Sequence, residues 1–163
     1  SENVTSARKM VMALLLAQCP HSQKIQELAK KLGVEQPHFV VKTQDCILCQ
    51  MCFKTCHEIV GVDAISFITK GVNRETEEAH IDISPEKCIG CGSCAYICPT
   101  NAIKVEDVGD TRTISVLNYK TEFKLKKCKT CGNYWAPEKQ LDYIIKKSNL
   151  APDAFDNCPD CRD

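Results

Sequence analysis

Two runs of cysteines with the same internal spacing are the residues of this chain best suited to chemistry. In each run the gaps between successive cysteines are two, two and three residues, and the runs cover residues 46–56 and 88–98. This spacing is typical of thiolate ligands to a [4Fe–4S] cluster, because a tight loop can surround a cubane and aim its backbone N–H groups at the sulfurs. One such run alone could occur in a zinc site. Because the same spacing occurs twice, we predict two [4Fe–4S] clusters instead.

The ligands of the two predicted clusters cross between the runs. With this spacing the fourth cysteine of each run ligates the cluster of the other run. The first predicted cluster is held by Cys46, Cys49, Cys52 and Cys98. The second predicted cluster is held by Cys88, Cys91, Cys94 and Cys56. Shared ligands bring the centres close together, so the pattern predicts electron transfer between them.

Four further cysteines form a different kind of site. Two C-x2-C pairs separated by 26 residues contain Cys128, Cys131, Cys158 and Cys161. Four thiolates suit a single zinc or iron ion in tetrahedral coordination. A third [4Fe–4S] cluster is the main alternative, because twelve grouped cysteines divide evenly into three clusters, and disulfides are another. Zinc would only hold a small module together, whereas a cluster would extend the electron path.

Composition favours metal thiolates and a balanced surface. The chain has 163 residues and 13 cysteines, of which twelve lie in groups built on C-x2-C steps, a pattern that favours metals over disulfides. Its 21 basic and 21 acidic residues cancel, which fits a subunit within a larger complex. The one group of cations, Lys124, Lys126, Lys127 and Lys129, is interpreted as a solvated edge rather than a nucleic-acid site.

The segment near residue 10 predicts a helix rather than an export signal. Arg8 and Lys9 precede a short apolar run and then Cys19, as in some lipoprotein signals, but Gln18 is unsuited to that role. The apolar run is far shorter than the roughly 20 residues of a membrane span. We therefore expect an amphipathic helix that begins near Thr5 and a cytoplasmic protein.

Three regions are predicted, giving an α+β fold. Residues 1–44 are expected to form a helical hairpin and linker, residues 45–105 a ferredoxin-like core with both clusters, and residues 106–163 a β-hairpin with the four-cysteine module, similar to a zinc ribbon or rubredoxin.

Periodicity and turn signals locate the individual elements. In the hairpin, Met10, Leu14 and Leu15 are predicted to face the core from a helix capped by Thr5 or Ser6 and ended by Cys19-Pro20. A second helix is predicted to start at Ser22. Its expected buried stripe is Ile25, Leu28, Ala29 and Leu32.

Strands are predicted in both later regions. They cover residues 39–41, 64–68, 80–83, 102–105, 113–117 and 121–125, with an insert at 71–84. The strand at 80–83 is expected to lie opposite residues 66–69. Pro137 is expected to open a helix over residues 138–147.

Aromatic residues and histidines complete the candidates. Phe53 and Tyr96 lie inside the cysteine runs and are expected to shield the clusters from water. His57 follows Cys56 directly and is a candidate for tuning the second cluster. Cys19 is expected to be a buried apolar residue. Trp135 is expected in the core of the small terminal module.

Residues 7–105 resemble the iron–sulfur region shared by iron-only hydrogenases, the large peripheral subunit of respiratory NADH dehydrogenase and the diaphorase subunit of NAD-reducing hydrogenases. The similarity is most specific in DCILC at 45–49, HEIVGVDAISF at 57–67 and KCIGCG at 87–92. In those families a histidine and three cysteines hold a further cluster, but here Cys19-Pro20-His21 leads directly into a helix. The plant-type [2Fe–2S] domain and the hydrogenase catalytic domain are also missing. The resemblance therefore implies electron conduction and not hydrogen activation.

These observations predict a non-catalytic electron-transfer subunit of an anaerobic multisubunit oxidoreductase. No nucleophile elbow, phosphate-binding glycine loop or convincing carboxylate pair is present. A tungsten or molybdenum pterin enzyme is the expected catalytic partner, with flavin enzymes and hydrogenases as other options, and a further electron-transfer protein completes the complex. The alternative is an iron–sulfur redox sensor whose terminal module contacts nucleic acid.

Overall fold

The fold combines helices and strands, as the predicted α+β class requires. A computed structural model of the chain describes residues 1–37, 39, 41, 45–68, 80–117 and 119–162. Two helices come first, a cysteine-lined core follows, and a four-stranded sheet then leads to a last α-helix and the terminal cysteines. None of the described helices is both long enough and apolar enough to cross a membrane.

The helical hairpin consists of α1, Glu2–Gln18, and α2, Gln23–Lys31. Helix α1 ends before Cys19, and α2 begins directly after Ser22, both as predicted. The predicted cap at Thr5 or Ser6 is wrong, because α1 already begins at Glu2 with Ser1 as its N-cap.

The buried face of α1 differs from the prediction. Met12, Ala13 and Leu16 pack into the hairpin core, and the predicted Leu15 is partly buried against it. Met10 and Leu14, also predicted to face the core, are exposed. Residues 10–17 are apolar throughout, so periodicity alone could not identify the side that faces the core.

Two of the four residues predicted to form the buried face of the second helix are buried. Ile25 and Ala29 are buried, but Leu28 and Leu32 are exposed. The short hairpin has too little facing surface to cover the wider stripe.

The cysteine-lined core is built from short elements. Helix α3, Met51–Lys54, continues as a π-helical turn over Thr55–Val60, and α4 covers Ser93–Ile97. Strand β1, Ile65–Ile68, pairs antiparallel with β2, His80–Ile83, which confirms the predicted pairing over the described residues. These elements position the cysteines around one hydrophobic core.

A four-stranded antiparallel sheet follows in the order β3-β4-β5-β6. Its strands are β3, Ile103–Val108; β4, Thr111–Val116; β5, Tyr119–Lys127; and β6, Tyr134–Pro137. The predicted hairpin at 113–117 and 121–125 is present and longer than expected. Strand β3 spans the predicted boundary at residue 105, and Ile114, Val116 and Phe123 join the core that contains the cysteines.

Helix α5, Glu138–Ser148, begins directly after Pro137 as predicted. It ends at Asn149, whose left-handed conformation (φ 53°) stops the helix. A short 3₁₀ turn over Pro159–Cys161 holds the last cysteine.

Some predictions fall partly outside the described residues. They concern residues 71–79 of the predicted insert, Val40 of the predicted strand at 39–41, and Thr69 opposite the strand at 80–83. Phe39 and Val41 are described and lie outside any strand.

Candidate metal centres

One cavity is lined by four cysteines that come from both runs. Ile81, Ala102 and Ile103 contribute to its walls. Its cysteines are Cys46, Cys49, Cys52 and Cys98. Three of them come from the first loop and the fourth follows α4. This arrangement offers four sulfurs beside apolar walls, with Cys46 and Cys52 buried and Cys49 exposed.

A second cavity has the complementary set. Ile83, Ile89 and Ile114 contribute to its walls. Its cysteines are Cys56, Cys88, Cys91 and Cys94. The π-helical turn carries Cys56 away from the first loop and into this cavity. Both cavities therefore offer the thiolate number that a [4Fe–4S] cluster requires.

Backbone N–H groups point at the cysteine sulfurs in both halves. The Leu48 N–H donates to the sulfur of Cys46 over 3.4 Å, and the Ala64 N–H donates to that of Cys56 over the same distance. Such bonds stabilise the thiolate form and influence the reduction potential of a bound cluster.

Burial has the opposite effect on several of these thiols. It raises the pKa of Cys52 to about 11 and that of Cys94 to about 12. Burial also opposes ionisation of Cys98, but N–H groups of Ile103 and Thr100 outweigh it and leave the pKa of Cys98 below its usual value. Since ligation requires thiolates, metal binding here is coupled to proton release.

The turn between α1 and α2 holds the backbone beside the first cavity. The Gln18 side chain donates to the carbonyl of Cys46 over 3.0 Å, and the Ser22 hydroxyl donates to that of Pro99 over 3.5 Å. The buried Cys19 thiol donates to the Asp45 carbonyl over 3.6 Å. These bonds connect the segments that deliver Cys46 and Cys98.

The second cavity is covered by the sheet. Arg112 on β4 donates to the Gly90 carbonyl over 3.3 Å and makes a two-point ion pair with Asp107, with both distances 2.7 Å. This guanidinium lowers the pKa of Asp107. The ring of Phe123 packs so closely on Gly90 that an added Cβ there would lie 2.7 Å from a ring carbon.

The four terminal cysteines form a compact cluster of their own. The sulfurs of Cys128, Cys131, Cys158 and Cys161 all lie within 4.8 Å of one another. Those of Cys131 and Cys158 are 3.8 Å apart, too far for a disulfide of about 2.05 Å. A zinc ion at about 2.3 Å from each of four sulfurs would place them about 3.8 Å apart. The spacing therefore fits one ion.

Hydrogen bonds organise this terminal site. The Cys158 N–H donates to the sulfur of Cys128 over 3.3 Å, and the Lys129 N–H donates to the carbonyl of Asp156 over 2.9 Å. N–H groups of Cys131 and Cys158 lower the pKa of Cys128 to about 6. The site therefore contains a thiolate ready for metal binding near neutral pH.

The lysines beside this site are engaged within the protein. Lys126 and Lys129 both pair with Asp156, and Lys124 lies 3.6 Å from Glu138. The ammonium of Lys127 lies over the ring of Tyr134. These contacts supply no shared cationic face of the kind that phosphate binding needs, so they do not favour the nucleic-acid alternative.

Aromatic residues near the cysteines behave differently from one another. Phe53 packs against the core as expected, but the prediction for Tyr96 is wrong, because 93% of that residue is exposed. Tyr96 projects outward from α4 while its neighbours carry the cysteines inward. His57 stacks on Phe53 and hydrogen-bonds Asp63 at the surface.

Trp135 lies in the terminal module, where its ring packs near Phe155 and beneath Arg162. Trp135 is only partly buried, so its expected place in the core of that module is confirmed in part.

Comparison with known families assigns the core. A family model described as "4Fe-4S dicluster domain" matches residues 45–102 and, in a second match, residues 87–133, which together cover more than half of the chain. The chain belongs to this family. It is therefore an iron–sulfur protein of the dicluster ferredoxin type, as the cysteine spacing predicted, and [4Fe–4S] clusters are its cofactors. The second match extends over Cys128 and Cys131.

Similar proteins include components of redox enzymes. The NADPH-Fe(3+) oxidoreductase subunit alpha of Geobacter sulfurreducens is 35% identical over 74 residues, which is 45% of this chain and 8% of that protein. An NADH-quinone oxidoreductase component of Rhizobium meliloti is 33% identical over 67 residues, 41% of this chain and 8% of that protein. The putative ferredoxin-3 of Sinorhizobium fredii is 32% identical over 73 residues, 37% of this chain and 70% of that protein. The chain thus spans only a small part of the first two relatives.

Proposed function

We propose that this chain is a non-catalytic electron-transfer subunit of a multisubunit oxidoreductase. The observation that carries the proposal is the pair of neighbouring cavities, each lined by three cysteines of one run and the fourth of the other. When bound there, two [4Fe–4S] clusters supply one-electron carriers within a single core. The names of the similar oxidoreductase proteins support the same general role.

We assign the ligands crosswise. Cys46, Cys49, Cys52 and Cys98 hold the first cluster, and Cys88, Cys91, Cys94 and Cys56 hold the second. The protein contributes apolar walls beside the cysteines. It also contributes N–H groups, such as those of Leu48 and Ala64, that stabilise the thiolates. Both features influence the reduction potential of a bound cluster.

The terminal cysteines hold a single zinc or iron ion in this proposal. The 3.8 Å separation between the sulfurs of Cys131 and Cys158 supports one tetrahedral ion, because a cubane between four thiolates would hold them further apart. Zinc would make the site structural, since it does not change oxidation state.

The partners are a catalytic subunit, such as a tungsten or molybdenum pterin enzyme of an anaerobe, and a further electron carrier. The ferredoxin-type core supports a role as an electron carrier between such proteins. The many thiolates fit a reducing compartment such as the cytoplasm.

Paired alanine substitutions test the crosswise ligands. In protein purified without oxygen, we expect about eight iron and eight sulfide per chain. Cys56→Ala combined with Cys88→Ala removes two ligands of one cluster, so one intact [4Fe–4S] cluster should remain in the EPR spectrum of the reduced protein. Cys56→Ala combined with Cys46→Ala should leave none.

The matched control is Cys19→Ala, which removes a buried cysteine outside both cavities and should retain both clusters. If the Cys46/Cys56 variant keeps an intact cluster while the Cys56/Cys88 variant keeps none, the crosswise assignment is wrong. Protein without sulfide would overturn the proposed function altogether.

A further inference from the structure

Helix α5 contacts the chain directly before one ligand of the second cavity. The Lys139 ammonium donates to the carbonyls of Pro85 and Glu86, at 2.8 and 2.6 Å. These residues form the turn that leads into Cys88, whose N–H donates to the Ser84 carbonyl over 2.9 Å. Lys139 therefore fixes the approach of the second cysteine run to its cavity.

The same helix contacts the chain directly after another ligand of that cavity. The Tyr143 hydroxyl donates to the carbonyls of Val60 and Gly61, at 3.0 and 3.3 Å. The Gly61 N–H in turn donates to the carbonyl of Cys56 over 2.9 Å, and the Ala64 N–H donates to its sulfur over 3.4 Å. Tyr143 thus supports the turn that directs an N–H group at a ligand sulfur.

Both ends of α5 are tied to the terminal four-cysteine site. The helix lies between the two C-x2-C pairs, joined to Cys131 through β6 and to Cys158 through a short loop. Of its eleven residues, all of which the structure describes, Leu141 is the buried one. An isolated helix of this length is marginal in water, so its position depends on its attachments.

We propose that the metal at the terminal site fixes the position of α5 and thereby stabilises the second cluster selectively. Lys139 and Tyr143 are the positioning residues of this coupling. This inference rests on the proposed function, because it requires a cluster in the second cavity. The first cavity is held by the turn at residues 18–22, which hydrogen-bonds the backbone at residues 45–46 and 99. The terminal metal should therefore influence one cluster and leave the other unchanged.

The test uses full-length protein with clusters, purified without oxygen. Tyr143→Phe removes a hydroxyl that donates to the Val60 and Gly61 carbonyls and accepts from the Lys147 ammonium. Lys139→Met removes only a charged donor from a long side chain. Each is combined with Cys46→Ala to observe the second cluster alone and with Cys88→Ala to observe the first. The readouts are the reduction potential from EPR-monitored titration and the rate at which an iron chelator bleaches the visible absorbance.

We expect both substitutions to lower the potential of the second cluster and to accelerate its loss about 2- to 12-fold, as removal of one net hydrogen bond would. The first cluster should keep its potential and rate. Lys146→Met, an exposed change on the same helix, is the matched control and should change neither cluster.

Removal of the terminal metal is the second arm. Cys161→Ser, or a zinc chelator if the ion is zinc, should reproduce the effect on the second cluster and spare the first. If both clusters are present but respond equally, or if neither responds, the proposed coupling through α5 is wrong while the proposed function stands. If no cluster assembles in the parent protein, the proposed function fails first.

Discussion

The two cysteine loops share a backbone shape but not the residues that suit it. Two positions in each loop adopt left-handed conformations: Leu48 and Gln50 in the first (φ 54° and 64°), and Gly90 and Gly92 in the second (φ 76° at both). These positions follow the first cysteine of each loop by two and four residues. The need to surround a cluster imposes the conformation, and the residue type then depends on what lies nearby.

The surroundings of the loops explain the difference. Gly90 lies against the Phe123 ring, where no side chain fits, whereas the Leu48 side chain packs partly buried against the same core. The first loop is covered by the α1–α2 turn and the second by the sheet and α5. Equivalent loops are therefore held by unrelated structures, and their responses to mutation should differ.

Gly90→Ala is expected to have the largest effect. The added Cβ would lie 2.7 Å from a ring carbon of Phe123, in addition to adopting an unfavourable left-handed conformation. Overpacking and backbone strain together should cost about 2–5 kcal/mol. We expect iron analysis and EPR to show loss of the second cluster with the first retained.

Gly109→Ala is the matched control for this change. Gly109 also has a positive φ, of 61°, but no atom lies within 4 Å of its added Cβ. The backbone cost alone, about 1 kcal/mol, should leave both clusters in place. Equal effects at the two glycines would show that Phe123 is not the cause.

The charges above the second loop should act in opposite directions. Arg112→Met removes a half-buried cation beside Gly90, so the potential of the second cluster should fall and that of the first should not. Asp107→Asn removes the partner anion and should raise the same potential, because the guanidinium charge is then less compensated. Redox titration measures both. Shifts of the same sign would mean that altered packing, not charge, dominates.

Local signals explain what the sequence predicted well. The cysteine spacing, the start of α2 at Ser22 and the helix start after Pro137 depend on residues close together in the chain, and the structure agrees with these elements. The exposed position of Tyr96 and the buried face of α1 depend on tertiary contacts. The prediction for Tyr96 was wrong, and for α1 it was wrong at Met10 and Leu14 but right in part at Leu15.

The supporting hydrogen bonds had no sequence signal at all. Arg112, Lys139 and Tyr143 donate to carbonyls 22, 53 and 83 residues away, at Gly90, Glu86 and Val60. Every residue has a carbonyl, so no residue type at the accepting position marks such a contact. Only the folded arrangement reveals these donors.

Gln18→Leu tests the cover of the first loop. It preserves side-chain size but removes the donor to the Cys46 carbonyl, at a cost of about 1 kcal/mol. We expect faster chelator-driven loss of the first cluster and an unchanged second cluster. Gln23→Leu, at an exposed residue that pairs with Glu27, is the control and should alter neither rate. An effect on the second cluster alone would contradict the assignment of this turn to the first.

The smallest effect on stability is expected when the residue types at the second left-handed position of the two loops are exchanged. Gln50 is exposed and strained, so Gln50→Gly should stabilise the first loop by less than about 1 kcal/mol, since glycine removes the strain but loses more entropy on folding. The reverse change, Gly92→Ala, places its Cβ 3.5 Å from Val105, an ordinary contact, and should weaken the second loop by a similar amount. The midpoint of anaerobic thermal bleaching should rise for the first variant and fall for the second. If both midpoints fall, the Gln50 side chain makes contacts that outweigh its strain, and the loops are alike in shape only.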